Sequence, residues 1–311
     1  MRVSSNSFSD SLINHLQKLT RRQSTLQTQV ATGQRVQDAA DDPLAAQQIL
    51  TLRDDAVATA QYQKNIQTHQ EFATVSGSAI QQIQKVLDRA QEIAVSADAL
   101  DDPGALQAYG VEVGELIKQA VSIANTSHRG EYIFSGTKGN TPAVSSTTDD
   151  SGQVTAVAFT GNASQASSEI APDVLISSRV AAQNASGSGD LGVFSDSRSS
   201  TDLFQHLISL RDQLLSGDTA TIASQTRADL EKDSDNVLYH MAGNGALQAR
   251  LETMTKLNKS EKSAIEEDLS QNADIDMSEA IVHLSQQQTA YQATLQSAGA
   301  VMNMSLLSFL R

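Results

Sequence analysis

The chain contains no cysteine, which excludes a disulfide framework, a thiolate metal site and a cysteine nucleophile. It also contains no tryptophan, and aromatic residues make up 4% of its 311 positions. Large side chains that fill a compact core are therefore scarce. This composition favours long, exposed helices over a compact α/β enzyme.

Basic residues are also in short supply. The chain has 22 lysine and arginine residues against 36 aspartate and glutamate residues, which gives a formal net charge of −14. No basic run is longer than Arg21-Arg22. Binding to a phosphate backbone needs clustered basic side chains, so we expect no nucleic-acid partner.

Long apolar runs are missing too. No run approaches the roughly 18 residues that a membrane-spanning helix requires, so we expect no membrane partner. The segment 1–7 carries one charged side chain and no apolar stretch, so we expect no cleaved secretory signal peptide.

The usual motifs of catalytic and metal sites are absent as well. The six histidines are scattered, and no two of them stand three or four residues apart, as a helical metal pair requires. HExxH, the P-loop and GxSxG do not occur. The segment 137–199 contains no histidine. We therefore expect no enzyme activity, no cofactor and no metal site.

One GxGxxG pattern is present, formed by Gly187, Gly189 and Gly192. A dinucleotide site needs such glycines between a buried strand and the start of a helix. Here they lie in a Ser/Gly-rich stretch, and the next helical pattern begins several residues later. We interpret this segment as a flexible loop.

Prolines and glycines divide the rest of the chain into helices. Asp42-Pro43 and Asp102-Pro103 each predict a helix start, because the Asp side chain accepts from free N–H groups and Pro fits the first helical position. Gly77 and the Gly243–Gly245 segment are expected weak points. The predicted helices cover approximately residues 7–32, 43–99, 103–127, 200–217, 219–270 and 277–311.

The middle of the chain has a different pattern. Residues 137–192 are rich in Ser, Thr, Gly, Asn and Asp, and two short β-favouring pieces lie at Val154–Thr160 and Val174–Val180. Asp150-Ser151-Gly152 is a plausible turn before the first of them. We predict a small β-rich insertion at 137–199.

Both ends of the chain repeat apolar residues at alternating steps of four and three, which is typical of a coiled-coil seam. We expect the two ends to pair with each other and then with other molecules, and to become ordered on assembly. Gln23 and Gln288 interrupt the seams and would help to fix their register. The candidate assembly interface comprises Phe8, Leu12, Leu16, Leu19, Leu26, Val30, Met277, Ile281, Leu284, Tyr291, Leu295, Met302, Leu306, Phe309 and Leu310.

These patterns predict a mainly α fold. Both chain ends form an antiparallel long-helix bundle or coiled coil, and the β-rich insertion lies in the middle. The predicted domains are a terminal coiled coil (1–42 with 271–311), a helical rod (43–136 with 200–270) and the insertion (137–199).

Several of the same segments resemble the terminal signatures of the bacterial flagellin superfamily. The segment Gly130–Thr137 is similar to a motif of the branch that forms the hook–filament junction. The terminal motifs are Val30–Val36 with Ala39–Ala46, then Ser278–Ile281, Leu284–Ala293 and Met304–Leu310.

The resemblance implies a structural junction protein that joins the hook-associated layer to the flagellin filament. The terminal helices would form the inner domain and the insertion would lie outside. The implied partners are further copies of the chain in a helical layer, the adjacent hook-associated protein, flagellin and, before export, the chaperone FlgN. The implied location is extracellular, on the flagellum, after type III export without a cleaved signal.

Two alternatives remain open at this point. A flagellin would form the filament itself and elongate filament seeds in quantity. A cytosolic helical adaptor rod would form a stable folded dimer and would not reach the culture medium.

Overall fold

The computed structural model describes residues 3–98 and 102–309, and it describes side chains for residues 10–97 and 102–300. The chain divides into two compact units. The terminal unit combines the residues up to Thr59 with those from Ser260 onward, and the central unit is Ala60–Lys259.

The described part of the chain is mainly helical, with short strands in its middle, as the sequence predicts. The helices are α1 (Val3–Thr32), α2 (Pro43–Asp98), α3 (Pro103–Ala124), α4 (Leu203–Ser216), α5 (Thr219–Thr221), α6 (Arg227–Ala273) and α7 (Met277–Phe309), with a π-helical turn at Ile222–Thr226 before α6. The strands are β1 (Ser127–His128), β2 (Glu131–Tyr132), β3 (Val144–Thr148), β4 (Val154–Phe159), β5 (Ser168–Ala171), β6 (Val174–Ile176), β7 (Gln183–Asn184), β8 (Ser195–Asp196) and β9 (Thr201–Asp202).

The helix boundaries follow local capping chemistry. Asp42 accepts a hydrogen bond from the N–H of Ala45 at 3.1 Å, and Asp102 accepts one from the N–H of Gly104 at 3.1 Å. Gly33 ends α1 with a positive φ of 72°, which glycine adopts without strain. These three signals were all predictable from the sequence.

The helix α3 ends three residues earlier than expected. The Asn125 side chain binds the backbone of Val144, accepting from its N–H at 3.0 Å and donating to its C=O at 2.9 Å. This contact holds the start of β3, the first strand of the insertion, against the end of α3. The chain leaves the helix at that point and continues into β1.

The strands form small separate sheets. β3 pairs antiparallel with β4, and the turn between them is closed by the Asp149 carboxylate, which accepts from the N–H groups of Ser151 and Gln153. β5 pairs antiparallel with β6, while β8 lies between the parallel β7 and the antiparallel β9. The strand expected at Val174–Val180 ends at Ile176.

An aromatic cluster fills the core where α3, α4 and the strands meet. Phe134 and Phe194 stack edge to face with ring centroids 5.1 Å apart, and Phe204 lies 5.7 Å from Phe194. All three side chains are fully buried. These three rings give the short strands and the helices a common core.

The two predicted weak points do not interrupt their helices. Gly77 lies where α2 and α6 pack together in the central unit, and a Cβ at this position would stand 2.6 Å from Asn244 Oδ1. Asn244 donates to Ser76 Oγ at 3.1 Å and accepts from Gln248 at 2.6 Å. The glycine therefore permits a close approach to a buried polar side chain.

The GxGxxG segment forms an ordered turn. The Asn184 amide donates to the carbonyls of Ser188 and Asp190, and the buried Asp196 carboxylate accepts from the N–H of Gly192 and from Arg198. A strand follows the glycines instead of a helix, so this segment lacks the geometry of a dinucleotide site.

The substitution Gly77→Ala tests the close approach. The added methyl group meets the amide oxygen of Asn244, a side chain that Ser76 and Gln248 hold in place, so we expect a loss of about 1–3 kcal/mol of unfolding free energy. The control is Gly245→Ala, where no heavy atom lies within 4 Å of the new Cβ. The control should be neutral or stabilising by up to about 1 kcal/mol, because Ala is the better helix former. Urea unfolding followed by circular dichroism measures both, and equal midpoints would contradict the packing argument.

A second prediction concerns acid stability. The Arg198 side chain is the main cause that lowers the pKa of Asp196 from 3.8 to about 2, aided by backbone N–H groups. The stabilisation from this ionised carboxylate is therefore present above pH 3.8 and is lost as the pH falls through 2.

We expect Asp196→Asn to cost about 2 kcal/mol of unfolding free energy near neutral pH and progressively less below pH 3.8. Asp150→Asn, in the exposed turn between β3 and β4, serves as the control. A difference between wild type and Asp196→Asn that stays constant with pH would show that the carboxylate does not carry the effect.

Candidate assembly interface

The terminal unit is built on the antiparallel pairing of α1 with α7. At the base of the pair, the connector after α1 meets the connector before α7 as an antiparallel bridge between Gln34 and Asp274. Arg35 donates its N–H to Ala273 O at 2.7 Å, and Ile275 donates to Gly33 O at 3.0 Å. This backbone contact fixes which residues of the two helices face each other.

The Arg35 side chain reinforces the same joint. Its guanidinium donates to Asn272 O at 3.0 Å and pairs with Asp42 at 3.3 Å, while Gln29 donates to the Arg35 carbonyl at 2.8 Å. The N–H of Ala45 and then Arg35 hold the pKa of Asp42 below its usual value. Asp42 therefore caps α2 and anchors the connector at the same time.

The N-terminal seam lies on the paired face of α1. Its members are half-buried, whereas the residues between them are exposed, apart from Gln29. Gln287 of α7 donates to the Leu19 carbonyl across the pair at 3.2 Å. The residues with this placement are Leu12, Leu16, Leu19, Gln23, Leu26 and Val30.

The C-terminal seam differs from the predicted register. The face of α7 with reduced exposure is formed by Ala280, Leu284, Gln287, Tyr291, Thr294 and Ala298. Leu284 and Tyr291 belong to both the predicted and the observed face. Met277, Ile281, Gln288 and Leu295 of the predicted seam lie beside the observed face and are exposed.

We call these neighbouring residues the exposed flank of α7: Met277, Ile281, Gln288 and Leu295. Met277 is 42% exposed, Ile281 is 52% exposed and Leu295 is 45% exposed. With 3.6 residues per turn, these positions fall on one strip along the helix. The strip is apolar except for Gln288. Pairing with the described side chains of α1 leaves it exposed to solvent.

Four predicted interface residues, Phe8, Met302, Leu306 and Phe309, lie where only the backbone is described, within α1 or α7. Leu310 lies outside the described residues. The expectation that the chain ends become ordered on assembly stays a prediction.

The terminal unit exposes other apolar side chains that were not predicted from the sequence. Ile13 and Val282 are exposed on α1 and α7, and Leu44, Leu50 and Val57 are exposed on α2. Leu50 and Val57 are seven residues apart in a polar stretch, so a search for single exposed heptad positions could have found them.

The described histidines do not form a catalytic or metal constellation. His69 lies between the hydroxyls of Ser168 and Ser178, at 2.7 Å from each, and His206 contacts Asp233 at 2.7 Å. Among the described residues, no group of three potential ligands is arranged to hold a metal ion. No helix in the described ranges combines the length and apolarity that crossing a membrane needs.

Known proteins with similar sequences are flagellar proteins. Residues 3–139 match the family model of the bacterial flagellin N-terminal helical region. The chain is 26% identical to flagellar hook-associated protein 3 of Escherichia coli (strain K12) over 306 residues, covering 89% of this chain and 90% of that protein.

Solved structures share the fold. A putative flagellar hook-associated protein from Vibrio parahaemolyticus superposes with a TM-score of 0.63 at 20% identity, covering 75% of this chain and 100% of that chain. Hook-associated protein 3 from Legionella pneumophila gives 0.60 at 15% identity, covering 72% and 98%. FlgL from Bacillus cereus gives 0.56 at 18% identity, covering 71% and 99%.

The double substitution Gln34→Cys with Asp274→Cys tests the joint between the chain ends. The flanking hydrogen bonds make this a narrow, non-hydrogen-bonded pair, where Cα atoms stand roughly 4.5 Å apart, a distance that suits a disulfide. Because the chain has no other cysteine, we expect rapid intramolecular crosslinking of the monomer under mild oxidation. Electrophoresis without reductant measures it.

The control pair is Gln37→Cys with Asp274→Cys, which uses an exposed connector residue outside the bridge. It should crosslink slowly or not at all. Similar rates for the two pairs would contradict the register set by the bridge.

Proposed function

We propose that this chain, a member of the flagellin superfamily, is a structural junction protein that joins the hook-associated layer to the flagellin filament. Two observations support this assignment: the family match over residues 3–139, which include the N-terminal motifs, and the similarity to hook-associated protein 3 over most of the chain. The alternatives of a filament-forming flagellin and a cytosolic adaptor are less well supported.

The observation that carries the proposal is the exposed flank of α7. The α1–α7 pair covers one face of each helix, and the flank beside it leaves large apolar side chains in water. An exposed strip that is apolar except for Gln288, on a chain with a net charge of −14, is typical of an interaction surface. Packing against terminal helices of neighbouring subunits would bury this strip as a coiled-coil contact.

The remaining features support a role without catalysis. The hydroxyls of Ser168 and Ser178 both hydrogen-bond to the His69 ring, and Ser178 is 3% exposed, so these groups are engaged in structural contacts. The His206–Asp233 pair joins α4 to α6 in the same way. Relatives with similar folds are named as hook-associated and junction proteins, and these names describe structural components.

The proposed organisation gives each region its own role. The terminal coiled coil (1–42 with 271–311) would be the inner domain of the assembly, the helical rod (43–136 with 200–270) an outer domain, and the insertion (137–199) would face outward. The partners would be further copies of the chain, the adjacent hook-associated protein and flagellin. FlgN would be the partner before type III export to the cell exterior.

The substitution Ile281→Asp tests this assignment. A carboxylate in a packed apolar contact loses its hydration without a partner and costs several kcal/mol, so assembly should fail. We expect cells to release unassembled flagellin into the medium and to show few filaments. The matched control is Gln286→Asp, an exposed position roughly 140° further round the helix at 100° per residue, where assembly should persist.

Two measurements separate the outcomes. Immunoblotting of the medium must detect the Ile281→Asp chain itself, which shows that export is intact, and electron microscopy counts the filaments. Normal filaments with Ile281→Asp would refute the role of the flank. Efficient elongation of filament seeds by the purified wild-type chain would favour the flagellin alternative.

A further inference from the structure

The central unit contains a surface cleft of about 500 Å³ beside α6. Its walls are the segment after β6, the loop after β7, the loop around residue 165 and one face of α6. This volume lies within the range of about 300–1,000 Å³ that is typical of small-ligand sites. All of the lining residues belong to the central unit.

An exposed aromatic ring forms one wall. Tyr239 is 62% exposed, whereas every other tyrosine and phenylalanine with a described side chain is buried or half-buried. The ring stands edge-on to His240, with centroids 5.5 Å apart and an interplanar angle of 84°. This contact orients the ring and leaves a face open. Such a face offers a flat apolar surface next to a polar hydroxyl.

The floor of the cleft is made of small residues on α6. Ala242, Gly243 and Ala246 line it, and a Cβ at Gly243 would meet no heavy atom within 4 Å. The open space above the helix is therefore available to a ligand. It can also be filled by a designed side chain without disturbing the core.

The rim supplies paired hydrogen-bonding groups. Gln165 Nε2 donates to Asp190 Oδ2 at 2.7 Å, which holds an amide and a carboxylate side by side. Arg179 also lines the cleft, but its guanidinium donates to Gly136 O at 3.0 Å and pairs with Glu131. Because the positive charge is already satisfied and Asp190 is acidic, the cleft disfavours an anion and suits neutral hydroxyl groups.

We propose that this cleft binds a neutral carbohydrate. The C–H face of a pyranose ring packs on Tyr239, and its hydroxyls exchange hydrogen bonds with Gln165 and Asp190. A sugar can use both the flat apolar wall and the remaining hydrogen-bonding capacity of Gln165 and Asp190, which a purely apolar ligand would not engage. This inference does not depend on the proposed junction function, because it concerns the central unit alone.

The test uses saturation-transfer-difference NMR on the full chain with maltose, cellobiose and N,N′-diacetylchitobiose as probes. We expect at least one of them to receive saturation on its ring C–H protons. Gly243→Leu fills the cleft, while Gly245→Leu adds the same side chain to the same helix at a position that does not line it. Leu is a good helix former, so both variants should retain the fold, as thermal unfolding will check.

The proposal predicts that Gly243→Leu abolishes the signal and that Gly245→Leu preserves it. Tyr239→Ser should weaken the apparent affinity roughly tenfold, the effect of losing one aromatic contact. Absence of transfer to all three sugars, or equal transfer to wild type and Gly243→Leu, would overturn the proposal. None of these measurements depends on filament assembly, so a negative result can be distinguished from a failure of the junction function.

Discussion

The antiparallel pairing of α1 with α7 is the contact on which the terminal unit depends. Two paired helices can bury only one face each, and the bridge between Gln34 and Asp274 selects which faces these are. The selected face of α7 contains the small, buried residues Ala280 and Ala298. Since this register turns Leu284 and Tyr291 toward α1, the apolar side chains of Met277, Ile281 and Leu295 are left on the flank beside the paired face. The exposed surface that calls for a partner is therefore a consequence of the register, and not of an incomplete fold.

In the central unit, α2 and α6 share an apolar core, and polar contacts between the two helices add to it. These polar contacts are specific for one alignment of the helices. Gln70 donates to Thr255 at 3.0 Å, and Gln84 donates to Ser234 at 2.9 Å. Between these two contacts, the Asn244 side chain donates to a buried hydroxyl of α2. A hydrogen bond of this kind is satisfied in one alignment and broken in a shifted one, so a few of them fix the register of two long helices.

Helix boundaries that depend on neighbouring residues could be predicted from the sequence. Asp102 before Pro103 and the glycine after α1 act within one helical turn, so their effect could be deduced without knowing the fold. The register of α7 could not be deduced, because its two adjacent stripes have equally regular spacing and only the partner helix chooses between them. Gly77 was misjudged for a related reason: a glycine that weakens an isolated helix is required where Asn244 approaches from a distant segment. The cleft beside Tyr239 brings together four separate segments, which no local pattern records.

Four residues of the N-terminal motif that carries the superfamily resemblance now have a physical role. Gly33 ends α1, Gln34 forms the bridge to Asp274, Arg35 reaches a carbonyl of α6, and Asp42 caps α2 while it pairs with Arg35. These residues do not lie on the exposed flank, yet they determine which side of α7 faces α1. A change in this joint would rotate or shift α7 and so alter the surface offered to other molecules. We therefore expect the motif to influence the proposed assembly through the register of α7, without its residues having to touch a partner.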